Sequence, residues 1–98
     1  MARTIKWDDE ALDYLERALK WIGDESVIQA ENVEKGIFEK VKVIVTNPER
    51  YPPDKFKKNN QGKYRACETH SYRIAYTYSK KEVYVLRVRH VRQEPKEY

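Results

Sequence analysis

Four basic side chains are crowded into one apolar segment, VYVLRVRHVRQEP at residues 83–95. They are Arg87, Arg89, His90 and Arg92. Guanidinium groups bind phosphate and carboxylate through paired, charge-assisted hydrogen bonds, and an imidazole can move a proton near neutral pH. A histidine at a strand end is also commonly a partly buried, hydrogen-bonded side chain, so both readings of His90 stay open.

Side-chain alternation along the predicted strands gathers several cations on one face. Within residues 72–78, Arg73 points away from Ile74. Within residues 82–90 we expect Tyr84, Leu86 and Val88 to face the core, and Val85, Arg87 and Arg89 to face the other way. The predicted basic face carries Arg65, Arg73, Arg87 and Arg89. Such a face could bind phosphate, or its arginines could pair with Glu68, Glu82 or Glu94 as an ordinary solvated surface. Because Arg73 and Arg92 are expected outside the core, replacing either by Ala should leave folding intact.

The usual signatures of other chemistries are absent from the sequence. It contains no metal-ligand spacing, no glycine-rich phosphate loop, no nucleophile elbow and no paired carboxylates. We therefore expect no metal and no cofactor, and conventional hydrolase and nucleotide-binding functions are disfavoured.

Periodicity predicts the elements that position these residues. A short strand at residues 3–7 precedes a helix that is capped by Asp8 and ends near Gly23. Ser26 and Gln29 form a capping-box pattern for a second helix, which reaches about Thr46. A Pro- and Lys-rich connection leads to three strands at residues 63–70, 72–78 and 82–90. The predicted fold class is α+β, with two N-terminal helices on one face of a small, mainly antiparallel four-stranded sheet, in the order β-α-α-β-β-β.

Composition limits the class of protein. A chain of 98 residues with 40% hydrophobic and 37% charged residues is expected to form a single globular domain, residues 1–98. Residues 1–48 carry seven Lys/Arg against ten Asp/Glu, whereas residues 49–98 carry thirteen against six. This asymmetry favours a nucleic acid or an acidic protein segment as partner. The single cysteine, Cys67, and the lack of a long apolar run predict a cytoplasmic protein without a membrane partner.

The blocks KYRA (63–66), SYRIAY (71–76) and VYVLRVRHVRQ (83–93) resemble the RelE/ParE superfamily, the toxins of bacterial type II toxin–antitoxin modules. The resemblance covers essentially the whole chain, because the order of predicted elements also matches. It implies a cognate antitoxin and therefore a heteromeric toxin–antitoxin complex. The antitoxin would be an acidic, partly disordered segment that covers basic positions and a hydrophobic groove.

The RelE-like branch implies an endoribonuclease that cuts mRNA on the ribosome, and this is the function we favour from the sequence. By resemblance, Arg73, Arg92 and the C-terminal Tyr98 correspond to catalytic positions. The two arginines would bind the scissile phosphate, and Tyr98 or His90 would move the proton, without a metal. Further contacts to nucleic acid are expected from Lys63, Arg65, Arg87 and Arg89.

One departure weakens the ribonuclease interpretation. RelE-like enzymes carry lysines on the sheet face where this chain has Tyr64 and Ala66. The ParE-like branch shares the fold and inhibits DNA gyrase without nuclease activity, so it is the alternative. A second alternative is a non-toxic nucleic-acid-binding or interaction domain.

Overall fold

The computed structural model describes residues 3–93 and 97–98. Strand β1 (Thr4–Trp7) is followed by helices α1 (Asp9–Glu25) and α2 (Val27–Thr46) and by a short 3₁₀ turn at Pro48–Arg50. After the connection at 51–63 come strands β2 (Tyr64–Thr69), β3 (Tyr72–Tyr78) and β4 (Glu82–His90). The predicted order β-α-α-β-β-β and the α+β class are confirmed.

Local capping chemistry explains where the helices begin. The Asp8 side chain accepts a hydrogen bond from the backbone N–H of Glu10, and the Ser26 hydroxyl accepts one from Gln29. Ser26 also ends α1, because its own N–H bonds back to the carbonyl of Ile22. Helix α1 thus passes through Gly23 and ends two residues later than predicted.

All four strands form one sheet in the order β1-β4-β3-β2. Strand β1 pairs with β4 in parallel, whereas the β2–β3 and β3–β4 pairs are antiparallel. Both α helices pack on one face of this sheet. We call that face the helix side, and the opposite one the outer face. The core contains Leu15 of α1 and Ile37 and Ile44 of α2, packed against Ile74 and Tyr76 of β3.

A bulge in β4 corrects the predicted side-chain phase. Ala75 pairs with Arg87 but Tyr76 pairs with Val85, so Leu86 is an extra residue. Before the bulge, Val83 and Val85 are therefore buried in the core and Tyr84 is not. The predictions that Tyr84 faces the core and that Val85 lies with the arginines were wrong. Beyond the bulge the alternation resumes as predicted, with Val88 buried and Arg87 and Arg89 on the outer face.

Within the described residues, no helix combines the length and the apolar character needed to cross a membrane.

Candidate functional site

The outer face brings three of the predicted arginines together. Arg73 of β3 lies directly opposite Arg89 of β4, and Arg87 lies opposite Ala75 two pairs further along, on the same face of the sheet. Side by side, three guanidiniums repel one another unless carboxylates or other groups compensate their charge. The predicted clustering of Arg73, Arg87 and Arg89 therefore exists. The groups that neutralise its positive charge determine which ligands it can bind.

Asp54, in the connection between the 3₁₀ turn and β2, neutralises the positive charge of Arg73. The guanidinium of Arg73 lies 2.8 Å from Oδ1 of Asp54 and 3.0 Å from Oε2 of Glu68. Only 11% of the Arg73 side chain and 1% of the Asp54 side chain are exposed. The ring of Phe56 lies 4.8 Å from the guanidinium carbon of Arg73. Arg73 is thus a buried, paired side chain, so the reason for expecting Arg73→Ala to leave the fold intact, an exposed arginine outside the packed interior, does not hold.

Tyr98 completes the contacts of Asp54. Its hydroxyl donates a hydrogen bond of 2.7 Å to Oδ2 of Asp54, and the backbone N–H of Phe56 donates one of 3.0 Å to Oδ1. Burial alone would raise the pKa of Asp54, but the hydrogen bonds from Arg73, Tyr98 and Phe56 outweigh it and lower the pKa. Burial, followed by the hydrogen bond to Asp54, raises the pKa of Tyr98. The pair is therefore stable as a carboxylate and a neutral phenol.

The space left beside the Asp54–Arg73 pair is small, and a separate pocket of about 250 Å³ is lined by Arg87, Arg89 and Tyr98 but not by Arg73. A cavity of about 10 Å³ lies among Asp54, Arg73, Ala75, Arg87, Arg89 and Tyr98. That volume has room for about one water and not for a phosphate group. The Arg87 guanidinium stacks over the Tyr98 ring at 4.6 Å, and the Arg89 guanidinium lies 5.2 Å from the Tyr14 ring. The outer-face arginines are thus largely engaged by the protein's own carboxylate and aromatic groups.

Arg65 lies on the other side of the sheet from the cluster. It pairs with Tyr76, which is buried on the helix side, and it donates hydrogen bonds to the carbonyls of Tyr51 (2.7 Å) and Glu49 (3.3 Å). The prediction that Arg65 shares a face with Arg73 was wrong, because its phase along β2 is opposite to that of Glu68, the cross-strand partner of Arg73. Lys63 precedes β2 and is exposed. Neither residue's predicted role in nucleic-acid binding is tested by these positions.

His90 and Arg92 lie at the far end of β4, away from Asp54. His90 pairs with Tyr72, which is buried on the helix side, and its ring contacts the Tyr72 ring edge-on at 5.2 Å. The backbone N–H of Arg92 donates to Nδ1 of His90 (3.1 Å), so neutral His90 carries its proton on Nε2. Within the described residues, no hydrogen bond or ion pair involves the guanidinium of Arg92.

An open groove runs from these residues along helix α1. It is lined by Tyr14, Arg17, Ala18, Trp21, Tyr72, His90, Arg92 and Gln93, and its volume is about 500 Å³. The four helix residues recur at i, i+3, i+4 and i+7, which places them on one helix face. We call this site the aromatic groove.

The four predicted catalytic residues therefore fall into two groups. Arg73 and Tyr98 meet at Asp54 on the outer face, whereas His90 and Arg92 line the aromatic groove. The sequence reading missed Asp54, Tyr14 and Trp21. Helical spacing could have placed Tyr14 and Trp21 on one stripe of α1. Asp54 offered only a local turn signal, because a Pro-Pro-Asp stretch is typical of an Asx turn.

Comparison with known proteins identifies the family. Residues 5–95 match the family model described as "ParE toxin of type II toxin-antitoxin system, parDE". The fold is similar to a solved structure described as "Chromosomal ParDE TA system from P. aeruginosa", with a TM-score of 0.64 and 18% identity, covering 91% of this chain and 96% of that one. No curated protein sequence matches. The match confirms the superfamily indicated by the strand blocks. The chain belongs to the ParE toxin family of type II toxin–antitoxin systems.

Proposed function

We propose that this chain is a toxin that a cognate antitoxin neutralises and that it inhibits DNA gyrase instead of cutting RNA. This reverses the preference drawn from the sequence, where the ribonuclease was favoured. Membership of the ParE family supports the gyrase branch, because the resemblance attributes gyrase inhibition to ParE-like members.

The main observation in favour of gyrase inhibition over RNA cleavage is that Arg73 is already paired with carboxylates of the protein itself. Its guanidinium is bound by Asp54 at 2.8 Å and by Glu68 at 3.0 Å, so the groups that a scissile phosphate would need are already satisfied by carboxylates. A phosphate that approached Arg73 would also meet the negative charge of Asp54 at close range, which is unfavourable at low local dielectric.

The distribution of proton-moving groups supports the same choice. Metal-independent RNA cleavage needs phosphate-binding cations and an acid–base group within hydrogen-bond reach of one reacting centre. Tyr98 donates to Asp54, and burial and this bond raise its pKa, which disfavours the phenolate that a base would use. His90 belongs to the separate aromatic groove. The lysines expected of a RelE-like enzyme are replaced by Tyr64 and Ala66.

Inducible expression in bacteria tests the proposal. We expect growth arrest with filamentation and DNA-damage signalling, and rescue when the neighbouring reading frame is co-expressed. In vitro, the purified chain should block supercoiling by purified gyrase, whereas chain that has been incubated with its antitoxin should not.

Two results would overturn the proposal. Growth arrest with rapid loss of translation, together with mRNA cleavage on purified ribosomes, would identify a ribonuclease. Harmless expression of folded protein would identify a non-toxic interaction domain. A Lys80→Ala variant, altered in an exposed turn between β3 and β4, serves as a matched surface control and should remain fully toxic.

A further inference from the structure

The aromatic groove presents a large apolar surface that the described chain leaves open. Trp21 is 70% exposed, although it follows the partly buried Tyr14 and Ala18 on the same helix face. An exposed tryptophan beside other aromatic rings is a common anchor position in protein interfaces. The groove is therefore shaped to receive a large apolar side chain of a partner.

The charge of the groove is one-sided. Its lining includes the side chains of Arg17, His90 and Arg92 and contains no carboxylate among the described residues. Arg17 is partly compensated by an exposed ion pair with Asp13 of 3.0 Å, whereas no ion pair of Arg92 exists within the described residues. A partner that places carboxylates around its apolar anchor would complement this surface.

The floor of the groove is held in place by hydrogen bonds. The Tyr14 hydroxyl donates to Oε1 of Gln93 and accepts a 3.0 Å hydrogen bond from the backbone N–H of His90. These bonds tie the turn after β4 to helix α1, which fixes Arg92 relative to Trp21. A site preorganised in this way loses little conformational entropy when a partner binds.

We propose that the aromatic groove binds a segment of the antitoxin in which an aromatic or aliphatic anchor is flanked by carboxylates. The anchor packs against Trp21 and Tyr72, and a carboxylate pairs with Arg92. This inference rests on the proposed function, since it needs an antitoxin. It also moves the expected electrostatic contact away from the outer face, where Asp54 and Glu68 already compensate Arg73.

Affinity measurements with matched variants test the groove. The antitoxin encoded beside the gene is titrated into each purified variant by calorimetry. Trp21→Ala should weaken binding about 30-fold, as expected for an interfacial hot spot, and Arg92→Ala about tenfold. Two controls should stay within about twofold of the wild type, since exposed residues outside a contact contribute little. Ile28→Ala removes an apolar side chain that is 72% exposed but lies outside the groove lining, and Arg50→Ala removes an exposed arginine elsewhere.

Salt provides a second readout. The loss of antitoxin affinity caused by Arg92→Ala should shrink as the salt concentration rises, because salt screens the attraction between Arg92 and the antitoxin carboxylate in the wild type. The loss caused by Trp21→Ala should persist. Thermal denaturation of every variant checks that the fold is retained.

The outcomes separate this inference from the proposed function. If the wild type arrests growth and binds its antitoxin but Trp21→Ala and Arg92→Ala bind it equally well, the groove proposal is wrong and the function stands. If Trp21→Ala abolishes toxicity with unchanged antitoxin affinity, the groove belongs to the target. Tight binding of a single-stranded oligothymidine that Trp21→Ala abolishes would assign the groove to nucleic acid. If the wild type neither arrests growth nor binds the neighbouring product, the proposed function itself fails.

Discussion

Arg73 and Asp54 form a buried ion pair that joins strand β3 to the connection preceding β2. The 2.8 Å contact links residues 19 positions apart, and the Tyr98 hydroxyl adds a third segment, 44 positions from Asp54. One carboxylate therefore fixes three parts of the chain on the outer face. The pair therefore gives Arg73 a structural role in holding β3 to this connection.

Arg73→Ala should destabilise the fold. The variant leaves Asp54 buried without its counter-charge, so we expect the free energy of unfolding to fall by about 3 kcal/mol. Urea denaturation followed by circular dichroism measures this. The matched control is Arg17→Ala, whose pair with Asp13 is 72% and 63% exposed and should contribute less than about 0.5 kcal/mol.

A difference between Arg73→Ala and the wild type of under about 1 kcal/mol would contradict the assignment of a buried pair, because surface pairs have that magnitude. If the large loss is observed, absence of toxicity in Arg73→Ala cannot be read as loss of a catalytic group, since unfolding alone would explain it.

Tyr98→Phe should remove part of the alkaline pH dependence of stability. Because burial and the hydrogen bond to Asp54 raise the pKa of Tyr98, the folded state holds this phenol proton more tightly than the unfolded state. The resulting stability is fully present below the unfolded pKa of about 10 and is lost as pH rises above it. We therefore expect the wild type to be more stable than Tyr98→Phe by a nearly constant amount between about pH 6 and about pH 10, and the difference to shrink above that.

Chemical denaturation at a series of pH values checks this expectation. Tyr84→Phe is a useful comparison, because the Tyr84 hydroxyl donates to Glu82 at a surface site and its pKa is raised chiefly by that hydrogen bond. A Tyr98→Phe variant whose stability equals that of the wild type across the whole range would refute the contact with Asp54.

Gly36 in helix α2 should be needed because of His70. A Cβ added at Gly36 would lie 2.4 Å from Nδ1 of His70 and 3.0 Å from Oγ1 of Thr69. His70 and Ser71 form the β2–β3 turn with φ values of 50° and 69°, so the His70 ring cannot simply follow a relaxed backbone. Glycine lowers the stability of the helix relative to alanine, but it allows the His70 ring to lie this close to the backbone of α2.

A double-mutant cycle measures this coupling. In a His70→Ala background, Gly36→Ala should be more favourable than in the wild-type background by about 1 kcal/mol or more, because alanine favours the helix and only the contact with Oγ1 of Thr69 remains. In the wild-type background the same change should give no gain or a loss, because the ring must move. Equal gains in both backgrounds would show that His70 imposes no constraint on Gly36.

The features that follow from local chemistry could be predicted from the sequence. Asp8 and Ser26 cap their helices through neighbours two and three residues away. The β-branched stretch before Asn47 is helical, in agreement with the prediction of a second helix that reaches about Thr46. Such features need no knowledge of distant contacts, so the element order followed correctly.

The features that depend on long-range contacts could not be predicted in this way. The extra residue Leu86 inverts the alternation of side chains between the two faces of β4. A strict period-2 pattern does not predict this bulge, because no glycine marks its position. Glu68, one of the three glutamates that the sequence offers as partners for the arginines, does pair with Arg73. Asp54 was missed because the connection folds back over the outer face, which no local pattern of residues indicates.

Cys67 should report on opening of the core. Its thiol is buried, and burial raises its pKa to about 11, so little thiolate exists near neutral pH and reagents have no access. We expect iodoacetamide at about pH 7.5 to alkylate Cys67 in the folded protein at least a hundredfold more slowly than in the urea-unfolded chain. Mass spectrometry measures both rates.

Because alkylation requires the folded core to open and expose the thiol, Arg73→Ala should accelerate alkylation in proportion to its loss of stability, whereas Arg17→Ala should not. Rapid alkylation of the folded wild type would contradict the packing of β2 against the helices.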